Sequence, residues 1–240
     1  MADEKKTPLT TDPILEAEQE STFQEENKEK RNQKVIAWGV IATAAIVIVV
    51  LVYVFAIRRP GIMAGNNAIG QADTSLAMGQ DSIALAQYQQ VADKYGYDAG
   101  NRAALNAAII LYQQASTMTD KAARDAKLNE ALKYCAKYDA KEAVIGAAAR
   151  SLEGDCYVNL GQLEQALGCY EKAISTSAKN PYYTPTFMMK QATVQRALKN
   201  YAAEAAIYEQ IESEYPSYGQ MYNIDVKKYL DRAKANAAQK

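Results

Sequence analysis

The sequence predicts an all-α protein: one N-terminal transmembrane helix, then a right-handed solenoid of about four helical hairpins, then a C-terminal capping helix. Three observations carry this. Residues 35–57 form an unbroken apolar run. Alanine is abundant, while the 240 residues hold only 12 Gly and 6 Pro, a helical balance. Small and aromatic residues also recur at fixed helical offsets along the C-terminal three quarters of the chain.

The run VIAWGVIATAAIVIVVLVYVFAI lies between Lys34 and Arg58-Arg59-Pro60 and carries no charge. As a helix it is roughly 34 Å long, enough for a hydrocarbon core of about 30 Å. It has no polar face, as a soluble helix would need. Trp38 near one end, with Tyr53 and Phe55 near the other, suits the headgroup level. A cleaved signal peptide would have a shorter apolar region closer to the N-terminus. No lipid-attachment cysteine follows the run, so an uncleaved signal anchor is expected. Lys28, Lys30, Arg31 and Lys34 precede it, and only Arg58 and Arg59 follow closely. This bias favours a cytoplasmic N-terminus and an exported C-terminal domain, at the inner membrane of a bacterium.

Residues 1–34 carry nine acids, six bases and few large apolar side chains, so they read as a charged tail, with Asp12-Pro13 able to start a helix. Residues 61–240 carry nineteen acids and nineteen bases. That balance gives no basic stripe for nucleic acid. There is no histidine, which removes His-based acid–base catalysis and most catalytic zinc sites. Cys135, Cys156 and Cys169 match no zinc spacing. Small apolar core residues are the favoured reading; a Cys156–Cys169 bridge across a hairpin is the alternative. No phosphate loop, nucleophile motif or metal cluster appears, so no catalytic residue, cofactor, metal or small-molecule substrate is expected. Paired acids such as Glu212 and Glu214 read as a solvated helix face.

The stretch 150–174 carries the clearest repeat. Gly154, Tyr157, Gly161, Ala166, Tyr170 and Ala173 fall at positions 8, 11, 15, 20, 24 and 27 of a 34-residue helix–turn–helix unit. Small residues at 8 and 20 let two antiparallel helices approach, so Gly154 and Ala166 are expected to face each other. Aromatics at 11 and 24 fill the space between hairpins. A later copy has Ala192, Tyr201, Tyr208, Ile211 and Pro216 in register, but places Glu204 where a small residue belongs, which predicts a local shift in packing. Upstream, Ala72, Gly79, Ala84, Tyr88 and Val91 form a weaker copy. Another pairs Tyr112 with Ala131 and Cys135, with about ten extra residues around TMTDKAARDA. Tyr222, Val226, Tyr229, Leu230 and Ala233 form a one-sided apolar face, as a capping helix requires. The expected divisions are a tail at 1–34, a span at 35–57 and an exported domain at 58–240. Within it, hairpins fall near 62–96, 101–138, 141–177 and 184–214, with a cap at 219–238.

On these residues the region 61–240 resembles a tetratricopeptide-repeat domain. The whole layout, with TFQEENKEK before a single span, is similar to a bacterial group of signal-anchored repeat proteins that includes the ancillary subunit of the Sec translocon. The resemblance implies a groove lined by first-helix side chains: Asn106, Ile110 and Gln113; Ser151, Asp155 and Asn159; Met189, Thr193 and Arg196. None of these is expected to be needed to close a hairpin. The set lacks the Lys/Asn/Arg clamp by which some members hold peptide carboxylates. Tyr88, Tyr112, Tyr157, Tyr170, Tyr201 and Tyr208 are expected at packing positions of the repeat. Tyr182, Tyr183, Tyr215 and Tyr218 are the tyrosines expected at the surface. The implied function is a non-catalytic, membrane-anchored scaffold for envelope or newly exported proteins, with translocon subunits among the candidates. A cell-envelope assembly coordinator of the same architecture is the alternative.

Overall fold

The computed structural model describes residues 13–140 and 142–239. The expected tail at 1–12, with its Asp12 cap, and Lys141 lie outside the described residues. The chain divides into two units, one ending at Pro60 and one beginning at Gly61. All regular structure among the described residues is helical.

In the first unit, α1 covers Pro13–Val52 and a π-helical turn covers Tyr53–Arg58. The Lys30 ammonium meets Glu26 one turn earlier, at 2.6 Å. Side chains of the apolar run, from Val35 to Ile57, are exposed apart from the half-buried Val54. By length and composition the helix is long and apolar enough to cross a membrane. The Arg59 guanidinium lies 4.6 Å from the Phe55 ring centroid, directly after the run.

The second unit begins within α2 (Arg59–Ala77) and continues through α3 (Asp81–Lys94), α4 (Tyr97–Ser116), α5 (Lys121–Lys137), α6 (Ala143–Asn159), α7 (Leu163–Thr176), α8 (Tyr183–Ala197) and α9 (Tyr201–Glu214). A short α10 (Tyr218–Tyr222) and α11 (Val226–Ala238) follow. The helices pair as α2/α3, α4/α5, α6/α7 and α8/α9, and α11 packs on α9. First helices also touch from hairpin to hairpin, α4 against α6 and α6 against α8. The fold is TPR-like.

Three of the four intra-hairpin turns share one geometry. Gly79, Gly161 and Lys199 take φ of 71°, 75° and 61°. The following amide reaches back to a carbonyl five residues earlier: Gln80 to Ser75 (3.0 Å), Gln162 to Tyr157 (2.8 Å), Asn200 to Gln195 (2.8 Å). This closes orphan carbonyls at the helix end. Gly161 therefore acts through its backbone, not by packing: a Cβ there would meet nothing within 4 Å. The extra residues of the second hairpin lengthen both of its helices. α5 has 17 residues, against 14 in each of the other second helices α3, α7 and α9, and α4 has 20, against 19, 17 and 15 in the first helices α2, α6 and α8. Asp120 caps α5, accepting from the Ala123 amide at 2.7 Å.

The core follows the small-and-aromatic pattern. Ala72, Ala84, Ala166, Ala173 and Ala192 are fully buried, as are Tyr88, Tyr170 and Tyr208 or nearly so. Gly154 departs from expectation in one respect. A Cβ on it would lie 2.7–3.0 Å from three atoms of the Tyr170 ring, so the glycine makes room for that ring rather than for Ala166. Tyr112 and Tyr157 are half-buried and pack against the edges of core clusters. Pro216 is exposed and follows the end of α9 instead of packing between repeats. The three cysteines are buried and unbridged. Burial pushes the Cys135 thiol up to about 12 and that of Cys169 to about 11.

Glu204, at the position expected to be small, is wholly buried. Its Oε1 accepts from Arg232 Nη2 on α11 at 3.0 Å. The local shift expected from the sequence is thus an ion pair that ties the cap to the last hairpin. Tyr208 and Tyr229 stack beside it, with centroids 5.8 Å apart, and Val226, Leu230 and Ala233 complete the contact.

Candidate protein-binding groove

The first helices expose a continuous set of side chains that recur at equivalent turns. α2 offers Asp73 and Leu76; α4 offers Arg102, Asn106, Ile109, Tyr112 and Gln113. α6 offers Asp155, Val158 and Asn159, and α8 offers Met189, Lys190, Thr193 and Arg196. Adjacent first helices are knit together here. Asn159 Nδ2 lies 3.5 Å from Tyr112 Oη, joining α6 to α4. Lys190 Nζ reaches from α8 to α6, donating to Asp155 Oδ2 (2.6 Å) and Ser151 Oγ (2.9 Å).

Two of the expected groove residues are misplaced. Ile110 is 4% exposed and belongs to the core, whereas Ile109 is 36% exposed. The burial of Ala104, Ala107, Ala108 and Leu111 explains this. These four occupy the packing positions of α4, so Ala108 stands where Ala72, Gly154 and Ala192 stand, and the next residue faces outward. The lengthened second hairpin hid this one-residue offset. Ser151 is also buried, at 3% exposure, and serves as a hydrogen-bond acceptor for Lys190. The remaining positions, Asn106, Gln113, Asp155, Asn159, Met189, Thr193 and Arg196, are half-buried or exposed.

Asp155 corrects a third expectation. Its Oδ1 accepts from Tyr170 Oη at 2.7 Å, so it does help to close its own hairpin. The same arrangement appears in the first hairpin. Tyr88 Oη donates to Asp73 Oδ1 at 2.5 Å, and Arg102 Nη2 from the next hairpin reaches Asp73 Oδ2 at 3.2 Å. In both, an acid on the first helix holds a tyrosine fifteen residues later and a cation from the following hairpin. The phenols report the environment. Burial, then Asp73, raises Tyr88 to about 12, partly opposed by Asn106 and the Arg102 charge. Burial and Asp155 raise Tyr170 further. The sequence reading placed Tyr88 and Tyr170 correctly but missed Asp73, Arg102 and Lys190. The signal was available: both Asp–Tyr pairs are fifteen residues apart. The equivalent pair in the fourth hairpin is Thr193 and Tyr208, and in the second it is Ile109 and Cys135.

Of the surface tyrosines, Tyr182 and Tyr183 are 50% and 45% exposed, as expected. Tyr215 and Tyr218 are buried instead. Tyr218 lies against α8, with its hydroxyl 3.3 Å from Thr186 Oγ1, and its ring is 4.9 Å from that of Tyr222. Tyr215, just after α9, and Tyr218, the first residue of α10, both pack into the core cluster of the last hairpin and cap, a feature invisible in the repeat pattern.

No protein-family model matches the sequence, and no curated protein matches it. Solved structures do. A crystal structure of MamA protein aligns with a TM-score of 0.50 and 16% identity, covering 72% of this chain and 88% of that one. A second crystal structure of MamA aligns at 0.48 with 15% identity, covering 70% of this chain and 95% of that one. At such identity the first likeness speaks to the fold alone. It supports a TPR-like helical stack.

Proposed function

We propose that this chain is a non-catalytic scaffold anchored in a bacterial inner membrane, with its N-terminus in the cytoplasm and its TPR-like domain in the periplasm. The domain presents the first-helix groove to extended or helical segments of envelope and newly exported proteins, and translocon subunits are the first partners to test. One observation carries the reading. The adjoining first helices leave an open face of exposed Ile109, Gln113, Asn159, Thr193 and Arg196 above a floor already fixed by hydrogen bonds. Such a face can hold a chain segment without rearrangement, which keeps the ordering cost of binding low. The apolar run before Arg58 supports anchoring, and tethering raises the effective concentration of partners at the membrane surface. The excess of Lys28, Lys30, Arg31 and Lys34 supports the orientation.

A photo-crosslinking residue placed at Asn159 in growing cells tests the binding surface. Capture of translocon subunits or exported proteins supports the reading; capture of other envelope proteins makes the chain an envelope-assembly coordinator. Crosslinks to no protein from Asn159, Gln113 and Thr193 alike would refute the groove as a binding site. A phosphatase that folds only after export, fused behind Lys240, should be active; an inactive fusion overturns the topology.

A further inference from the structure

We infer that the groove takes an uncharged protein segment that seats apolar side chains over the second hairpin, and rejects charged tails and free terminal carboxylates. This rests on the scaffold reading above and names the chemistry of its partner.

The charges of the inner groove are spent within its own wall. Asp73 is matched by Arg102 and Asp155 by Lys190, each cation arriving from the following hairpin. Each acid also accepts a tyrosine hydroxyl. A ligand carboxylate approaching Arg102 or Lys190 would have to compete with an aspartate already in place. A ligand ammonium approaching Asp73 or Asp155 would have to displace the resident cation. Neither exchange gains a net ion pair, and each adds the cost of desolvating the newcomer.

Between these two compensated sites the exposed side chains are apolar. Leu76 lies one turn beyond Asp73 and is 38% exposed. Val158 lies one turn beyond Asp155 and is 36% exposed. Ile109, on the intervening α4, lies two turns beyond Arg102 and one turn before Tyr112. The second hairpin departs from the Asp–Tyr pattern here, carrying Ile109 and Cys135, with Cys135 in the core. Neutral polar groups border the patch: the Tyr112 hydroxyl, the Asn159 amide and Gln113. The recognising chemistry is therefore apolar contact at the centre with neutral hydrogen bonding around it, the usual anatomy of a binding hot spot.

The test uses the full chain in detergent and short fluorescent peptides, acetylated and amidated, with leucines set in a Ser/Gln background. Matched peptides carry Lys or Glu in place of the leucines, or a free C-terminal carboxylate. Anisotropy titrations should show saturable binding of the neutral leucine peptide, little changed between low and high salt. The charged peptides should bind at least about tenfold more weakly, as expected when unmatched charge is desolvated. Ile109→Asn, and separately Leu76→Ser with Val158→Ser, should weaken the leucine peptide by at least about fivefold while the helical melt is unchanged. Glu171→Lys, exposed on α7 and outside the groove, should leave it within about twofold. Equal or tighter binding of a charged peptide, or binding that collapses with salt, would overturn the uncharged-segment inference. Groove crosslinks in cells would still stand in that case. If no peptide binds, this inference falls; if Asn159, Gln113 and Thr193 also yield no protein crosslink, the scaffold reading falls with it.

Discussion

Gly154→Ala is the sharpest single perturbation of the fold, because the same change in two consecutive helices should have opposite signs. At Gly154 the added methyl would sit 2.7 Å from Tyr170 Cε1 and 3.0 Å from Cδ1 and Cζ. The ring cannot swing away cheaply, since Tyr170 is 2% exposed and its hydroxyl is held by Asp155 at 2.7 Å. Overpacking of this kind costs about 1–3 kcal/mol. The better helix propensity of alanine returns about 1 kcal/mol. The net is a loss of about 1 kcal/mol, or roughly 2–4 °C in melting temperature for a domain of this size. At Gly168, inside α7, a Cβ would meet nothing within 4 Å. There the propensity gain stands alone, and Gly168→Ala should raise stability by up to about 1 kcal/mol. Thermal melts of the two variants, followed by far-UV circular dichroism, should bracket the parent. Adding Tyr170→Leu to Gly154→Ala should cost less than Tyr170→Leu alone, because the clash is already relieved. A Gly154→Ala variant that melts with or above Gly168→Ala would show that Tyr170 is not pinned, and would remove the basis for the hairpin geometry described above.

Three further outcomes follow from the polar contacts. Arg232→Ala leaves the wholly buried Glu204 without its cation and should cost about 3 kcal/mol, whereas Glu204→Ala should cost clearly less. Arg232 is partly exposed and can turn to water, so equal costs in chemical denaturation would contradict the buried-pair account. Asp155→Ala strands the buried Tyr170 hydroxyl and should cost about 2 kcal/mol; Asp155→Asn, which keeps an acceptor, should cost less. If the two variants denature together, the hydrogen bond contributes nothing. Burial raises the thiols of Cys135 and Cys169 to about 12 and 11, and that of Cys156 upward as well. A folded value above the unfolded one, about 8.5, gives stability that is complete below that pH and lost as pH rises towards the folded values. The melting temperature should therefore fall more steeply above about pH 9 than in a variant with all three cysteines changed to alanine. Parallel pH profiles would refute the thiol contribution, and rapid labelling of the native thiols at neutral pH would refute their burial.

The helical stack was legible because its determinants are local and periodic. A small residue at the helix contact and an aromatic sixteen positions later are forced by the distance between two packed helices, so they survive in Ala72/Tyr88, Gly154/Tyr170 and Ala192/Tyr208. The expected list failed where the repeat carries an insertion. With extra residues in α4 and α5, counting back from Cys135 no longer fixes the phase of α4. Its alanines then leave Ile109 and Ile110 equally plausible as the outward residue. Only the burial of Ala108 and Leu111 decides between them. Tyr215 and Tyr218 escaped for a different reason: they stand at the entry to α10, a five-residue element with no counterpart in the repeat, so nothing periodic announces their burial.

The charged pairs of the groove were hard to see because they join three separate stretches of chain. Asp155 meets Tyr170 fifteen residues on, but Lys190 thirty-five residues on; Asp73 meets Arg102 after twenty-nine. A repeat pattern reports only the first of these distances. The second depends on how one hairpin seats on the next, and it differs between the two sites chiefly because Arg102 stands about one turn earlier on α4 than Lys190 does on α8. An acid that faces a groove is therefore poor evidence of ligand charge until its neighbour across the hairpin boundary is known. Asp155, an acid in the expected groove set, proves to be held by Tyr170 and Lys190. The exposed Ile109, one turn before Tyr112, then becomes the more informative residue of the groove.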